Sequence, residues 1–138
     1  MIAYIFSENE LKFLCGKLGV HRLAKHQFKN NIIDESGCEQ ALCSLSDKGF
    51  ASVQCSNVFL NSAIAMFINA FNKAERLLIG NGERKFTAYL TADITFLLIN
   101  DENSENFLLY PYENEDALVK WLNENGIYEW IDIRLEEN

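Results

Sequence analysis

Apolar positions recur with helical spacing in the first half of the chain and alternate in the second. Leu11, Leu14, Cys15 and Leu18 stand at i, i+3, i+4 and i+7, one stripe of an amphipathic helix. Ser7 and Glu10 have capping-box spacing, in which each side chain accepts from the other residue's backbone N–H, and Gly19 supplies a left-handed stop. A short strand over Ile2 to Phe6 precedes this helix. From Val20 to Ile33 the period is weak, with Leu23, Phe28, Ile32 and Ile33 as anchors among basic residues; a short helix and an ordered loop both fit. Asp34, Glu35 and Ser36 offer N-cap chemistry for a second helix, whose Ala41, Leu42 and Leu45 face inward before Lys48-Gly49 ends it. Phe50 to Gln54 and Val58 to Leu60 read as short strands joined by a turn at Ser56-Asn57. Asn61 or Ser62 caps a third helix that is apolar on nearly every face from Ala63 to Phe71, a pattern that belongs inside a fold or at an interface.

The period then changes. Leu77 to Ile79 run into Gly80-Asn81-Gly82, and Phe86, Ala88 and Leu90 resume on alternate positions, a hairpin signal. Ile94 to Ile99 is apolar on both faces, which predicts a central strand. Asp101 to Glu105 turns the chain, and Phe107 to Tyr112 returns as a fourth strand whose Pro111 suits an edge or strand end. Glu113 to Asn125 is a helix with acids in its first turn and Leu118, Trp121 and Leu122 on one side. Gly126 ends it, and Ile127 to Leu135 is a strand or short helix before an acidic tail.

These elements predict an α+β fold: a helical, winged-helix-like first half (1–74) packed on an antiparallel β-meander (75–138) with a closing C-terminal helix. The 138 residues fit a single domain over 1–138, because neither half is large enough to stand well apart. The opening MIAYIF is too short for a secretory or spanning segment, and no apolar run approaches the roughly 18 residues a spanning helix requires. A cytoplasmic location with no membrane insertion is expected. Cys15, Cys38, Cys43 and Cys55 lack the paired spacing of a zinc or redox site, so reduced thiols are expected and no metal or cofactor.

Charge and motifs narrow the function. The stretch ALCSLSDKGFASVQCSNVFLN resembles the last helix and wing of a winged-helix DNA reader, a task that requires Lys and Arg against phosphate. Its helix offers Glu39, Gln40, Ser44, Ser46 and Asp47, with Lys48 as the only cation. The net charge of −8 arises in the second half: residues 81–138 carry four Lys or Arg against thirteen Asp or Glu, and residues 1–80 carry eight against seven. A basic cluster of Lys17, Arg22, Lys25 and Lys29, with His21 and His26, is a candidate anion-binding segment, its simpler reading a solvated face. Nucleic acid is not the expected partner. Phosphate-loop glycines, zinc-protease spacing and a nucleophile elbow are all missing, so no enzymatic activity is expected.

Taken in order, ELKFLCGKLGV, a basic segment, EQALCSLSDKGF, NSAIAMFINAFNKAERLLI, KFTAYL, ITFLLIND and ALVKWL resemble the layout of the EspG family of type VII secretion-associated proteins, and of short Firmicutes proteins found with the same machinery. The resemblance implies a cytosolic chaperone or adaptor that keeps a helical secretion substrate soluble. EspG proteins have two similar halves where this chain would supply one, which suggests a homodimer paired through the sheet edge or the apolar third helix. Tyr110 and Tyr112 on one strand face, with Tyr128 and Trp130 alternating outward near the C-terminus, are candidate partner-binding aromatics; the alternative is that they complete the core under the closing helix. A winged-helix transcriptional regulator and a toxin-immunity protein are the other readings.

Overall fold

The computed structural model describes residues 3–21, 23, 27–28, 32–80, 85–101 and 106–135. The chain forms two compact units, Ser7–Asn72 and a second made of Met1–Phe6 with Lys73–Asn138. The fold is α+β, as the periodicity predicts, with a six-stranded sheet and a separate two-stranded one.

The first unit begins with α1 (Glu8–Leu18). Its capping box is present: Glu10 N–H donates to Ser7 Oγ at 3.1 Å and Ser7 N–H to Glu10 Oε1 at 2.8 Å. Gly19 ends it at φ 67°, where a side chain would be strained. Leu11, Leu14 and Cys15 of the expected stripe are buried, and Leu18 is half-buried. Of the loop anchors, Leu23 and Phe28 are buried, whereas Ile32 is 79% exposed. α2 (Glu35–Asp47) starts at Asp34, whose carboxylate accepts from Gly37 N–H at 2.6 Å, and α1 packs against it.

A β-hairpin follows, β2 (Ala51–Gln54) with β3 (Asn57–Leu60). Gln54 pairs with Asn57, so the turn residues are Cys55 and Ser56, one position earlier than the expected Ser56-Asn57. Both have positive φ, 51° and 66°, the pattern of a type I′ turn. α3 (Ser62–Ala70) is capped by Asn61, whose side chain accepts from the N–H groups of Ala63 and Ile64. Only one face of α3 is buried, through Ile64 and Ile68 against α1, while Met66 is 63% exposed. Asn72 ties the unit's end to the loop after α1: it donates to Gly19 O and accepts from His21 N–H, both at 3.0 Å.

The second unit is the sheet, in the order β1-β7-β6-β5-β4-β8, with β1 (Tyr4–Ser7), β4 (Arg76–Gly80), β5 (Thr87–Leu90), β6 (Thr95–Asp101), β7 (Asn106–Tyr112) and β8 (Trp130–Arg134). β6, buried from Thr95 to Leu98, lies inside the sheet as its two apolar faces predict. Pro111 does not mark an edge: β1 lies beyond β7, and Pro111 sits opposite Phe96 one residue from the end of β7. α4 (Glu115–Glu124), capped by Asn114, packs on β6 and β7 and lays Leu118 and Leu122 over Leu78, Ala88, Leu90 and Leu97. The segment after Gly126 resolves into strand β8, antiparallel to β4. Of the predicted hairpin tip Gly80-Asn81-Gly82 and the turn Asp101 to Glu105, Gly80 ends β4 and Asp101 ends β6, and the rest lies outside the described residues.

Candidate protein-interaction surface

The four candidate aromatics do not form one patch. Tyr110 and Tyr112 share the β7 face under α4, as their spacing predicts, but Tyr112 is 6% exposed within the core, where burial raises its phenol pKa. Tyr110 is half-buried, its ring centroid 6.4 Å from that of Trp121 on α4. Trp130 is half-buried and packs on the same cluster, whereas Tyr128 is 71% exposed. Beyond Tyr128 the alternation is therefore the reverse of the expected one: Trp130 turns inward, and Ile131 and Ile133 turn out, 49% and 39% exposed. The reason is register. Ile131 and Ile133 sit opposite Ile79 and Leu77, on the face away from Trp130, at the end of the sheet where no further strand flanks them among the described residues.

β8 is an open edge with a defined hydrogen-bond phase. Leu135 N–H donates to Glu75 O at 2.8 Å, which makes 75 and 135 a hydrogen-bonded pair. Ladder alternation then turns the backbone groups of Ile131 and Ile133 towards β4 and those of Trp130, Asp132 and Arg134 outward. On the α4 face, Arg76 of β4 forks between two acids. Its Nε and Nη2 donate to Asp132 at 3.2 and 2.6 Å, and its Nη1 and Nη2 to Glu115 at 3.1 and 2.9 Å. These hydrogen bonds hold the Asp132 carboxyl below the usual carboxylate range and raise the guanidinium pKa. The fork occupies the Arg76 donors that would otherwise serve a ligand in the neighbouring cleft of about 170 Å³, which Glu75, Asp93, Glu113 and Glu115 make acidic.

The winged part of the first unit has the element order of a DNA reader but not its charge. Exposed positions on α2 include Glu35, Glu39, Gln40, Ser46 and Asp47. Lys48, just beyond, places Nζ 2.8 Å from Glu10 Oε1, a carboxylate 2% exposed. The hairpin exposes Ser52, Gln54, Ser56 and Asn57 together with Val53 and Phe59, each 52% exposed, and carries no cation. Cross-strand pairing puts Phe59 with Ser52 on the outer face and Val53 with Val58 on the other. This apolar content, with Met66 on α3, is absent from the aromatic set chosen by sequence, because Phe59 lies between Val58 and Leu60 and no polar alternation marks it as outward-facing.

Of the basic cluster, Lys17 is exposed with Nζ 5.9 Å from the Phe13 ring centroid, and His21 is exposed. Arg22, Lys25, His26 and Lys29 lie outside the described residues. Cys15 is buried, which pushes its thiol pKa up to about 12; Cys38 is half-buried, and Cys43 and Cys55 are exposed. Among the described residues no three His, Cys, Asp or Glu are grouped to hold a metal, and no helix is long and apolar enough to cross a membrane. No family model matches the chain, and no curated protein matches it.

Proposed function

We propose that this protein is a cytosolic protein-binding adaptor whose winged unit holds a helical partner, of the type VII secretion class that the sequence resembles. The observation that carries the reading is the hairpin, which exposes Phe59 and Val53 and offers no cation. A polyanion gains nothing from such a surface, because binding to phosphate rests on neutralisation by Lys and Arg. An amphipathic helix gains from burying its apolar stripe against Phe59, while Val53 exposes apolar surface on the opposite face of the hairpin. Met66 on α3 adds a flexible, polarizable contact of the kind found where partners are accommodated.

A transcriptional regulator is the second reading, favoured by the order α1, α2, hairpin. The acidic exposed face of α2 and the pairing of Lys48 with Glu10 oppose it. A native pull-down with the tagged wild type and with Phe59→Ser, each with and without nuclease, separates the two. Retention of a helical protein regardless of nuclease, lost in Phe59→Ser while the circular dichroism spectrum is unchanged, supports the adaptor. Retention only of nucleic acid or of DNA-bound proteins, abolished by nuclease, overturns it in favour of the regulator.

A further inference from the structure

We propose that the β8 edge pairs with the β8 edge of a second copy of this chain, joining two sheets antiparallel about a two-fold axis at Ile133. Edge strands are ordinarily protected by charged side chains, Lys above all, or by Pro, bulges or cover; the two charges of β8, Asp132 and Arg134, are of opposite sign and so can pair across a two-fold rather than repel. Trp130–Arg134 contains no Lys or Pro and pairs with β4 residue for residue, without a bulge. Its outward backbone groups belong to Trp130, Asp132 and Arg134, so those residues must form the hydrogen-bonded pairs of any strand added there.

That phase leaves few registers, and charge chooses among them. Centring the axis on Asp132 would set the two Asp132 carboxylates directly opposite each other, which is unfavourable. Centring it on Ile131 would leave Asp132 opposite Trp130 and Arg134 opposite Tyr128, with no charge partner for either. Centring it on Ile133 sets Asp132 opposite Arg134 of the second copy, and the symmetry repeats the pair. Arg76 uses two acceptor sites on Asp132, and a carboxylate offers about four, so a second cation can be accommodated. The same register brings Ile133 against Ile133 on the opposite face and covers apolar side chains that are otherwise exposed. Trp130–Arg134 is in this sense self-complementary. The pairing does not depend on the wing, and Phe59→Ser leaves it intact.

The test is light scattering of the full chain at tens of micromolar and ~0.15 M salt, where the Debye length of about 8 Å limits repulsion between two acidic copies. The wild type is expected to be a dimer, and Ile133→Lys and Arg134→Glu monomers with unchanged circular dichroism. Disulfide trapping checks the register independently, in a background with Cys38, Cys43 and Cys55 replaced by Ser. The symmetric pair at 133 is non-hydrogen-bonded, with Cα atoms about 4.5 Å apart, within disulfide range. Ile133→Cys is expected to give a covalent dimer on mild oxidation, and Ile131→Cys is not. A monomeric wild type overturns the proposal. So does a dimer that survives Ile133→Lys while Ile133→Cys fails to cross-link, or growth into larger assemblies, which would mean β8 pairing with the other edge.

Discussion

Glu10 concentrates three local demands in one buried carboxylate. It closes the α1 capping box and accepts from Lys48, and its Oε2 is buried with no hydrogen-bond partner among the described residues. Lys48→Met strands that carboxylate. The expected cost is about 2 kcal/mol by urea denaturation, below the 3–5 of a deeply buried pair because Lys48 reaches water. Glu10→Gln keeps the cap acceptor and sheds the charge, so the double variant is expected to be more stable than Lys48→Met alone; equal stability would remove the electrostatic explanation. Cys15 follows from burial in the same way. A thiol with a pKa of about 12 stays protonated across the neutral range, so thiol reagents are expected to label Cys43 and Cys55 in the native protein and Cys15 only on unfolding. At the hairpin tip, Cys55 and Ser56 occupy left-handed conformations that Asn-Gly adopts readily. Cys55→Asn with Ser56→Gly should raise stability by about 1 kcal/mol, read as a higher melting temperature.

At the scale of elements, two junctions decide how helices start and strands are held. Gly37 stands in the first turn of α2, and a Cβ there would lie 2.9 Å from Ile33 Cγ1 and 3.0 Å from the capping Asp34 Oδ1. Gly37→Ala is therefore expected to destabilise the protein, against the roughly 1 kcal/mol gain that helix propensity alone predicts. A rise in melting temperature would show that the cap can yield. Arg76 joins β4 to β8 and to the first turn of α4 through Asp132 and Glu115. Both pairs are partly exposed, so Arg76→Met is expected to cost only about 1 kcal/mol at neutral pH. Because the Asp132 pKa is depressed in the folded state, its contribution is complete above the ordinary carboxylate range and is lost as pH falls through the depressed value. Arg76→Met should bring the Asp132 titration, followed by NMR, back towards the ordinary range and flatten the acid limb of stability.

Across the whole molecule, charge divides with the units. Residues 7–72 hold six Lys or Arg and six Asp or Glu, while the sheet unit holds six against fourteen and so carries the entire net −8. The winged unit is thus neutral rather than basic. The expected outcome on heparin is elution at low salt, and duplex DNA should show no salt-sensitive shift; retention of either would restore the regulator reading. Signals carried within a few residues were legible in advance: the Ser7 and Glu10 box, the Gly19 stop, a cap at Asn61 or Ser62, of which Asn61 is used, and two short strands after α2, with their turn one residue earlier than expected. Edge and interior were not. Pro111 fitted an edge or a strand end, and only the strand order, with Tyr4–Ser7 beyond β7, leaves the strand end; Tyr112 fitted a partner surface or the core under the closing helix, and only the packing of α4 places it in the core.

The sequence by itself determined most of the elements, several of their caps and the α+β class, because helical and strand periods, N-cap side chains and left-handed glycines act over three or four residues; it left Val20 to Ile33 and Ile127 to Leu135 open. Only the tertiary structure decided that β8 returns to β4, that Trp130 turns inward while Ile131 and Ile133 turn out, and that Lys48 is taken by Glu10. The Lys48–Glu10 ion pair and the β4–β8 register join residues 38 to 58 positions apart, and a period along the chain contains no information about which distant neighbour closes a sheet or neutralises a charge.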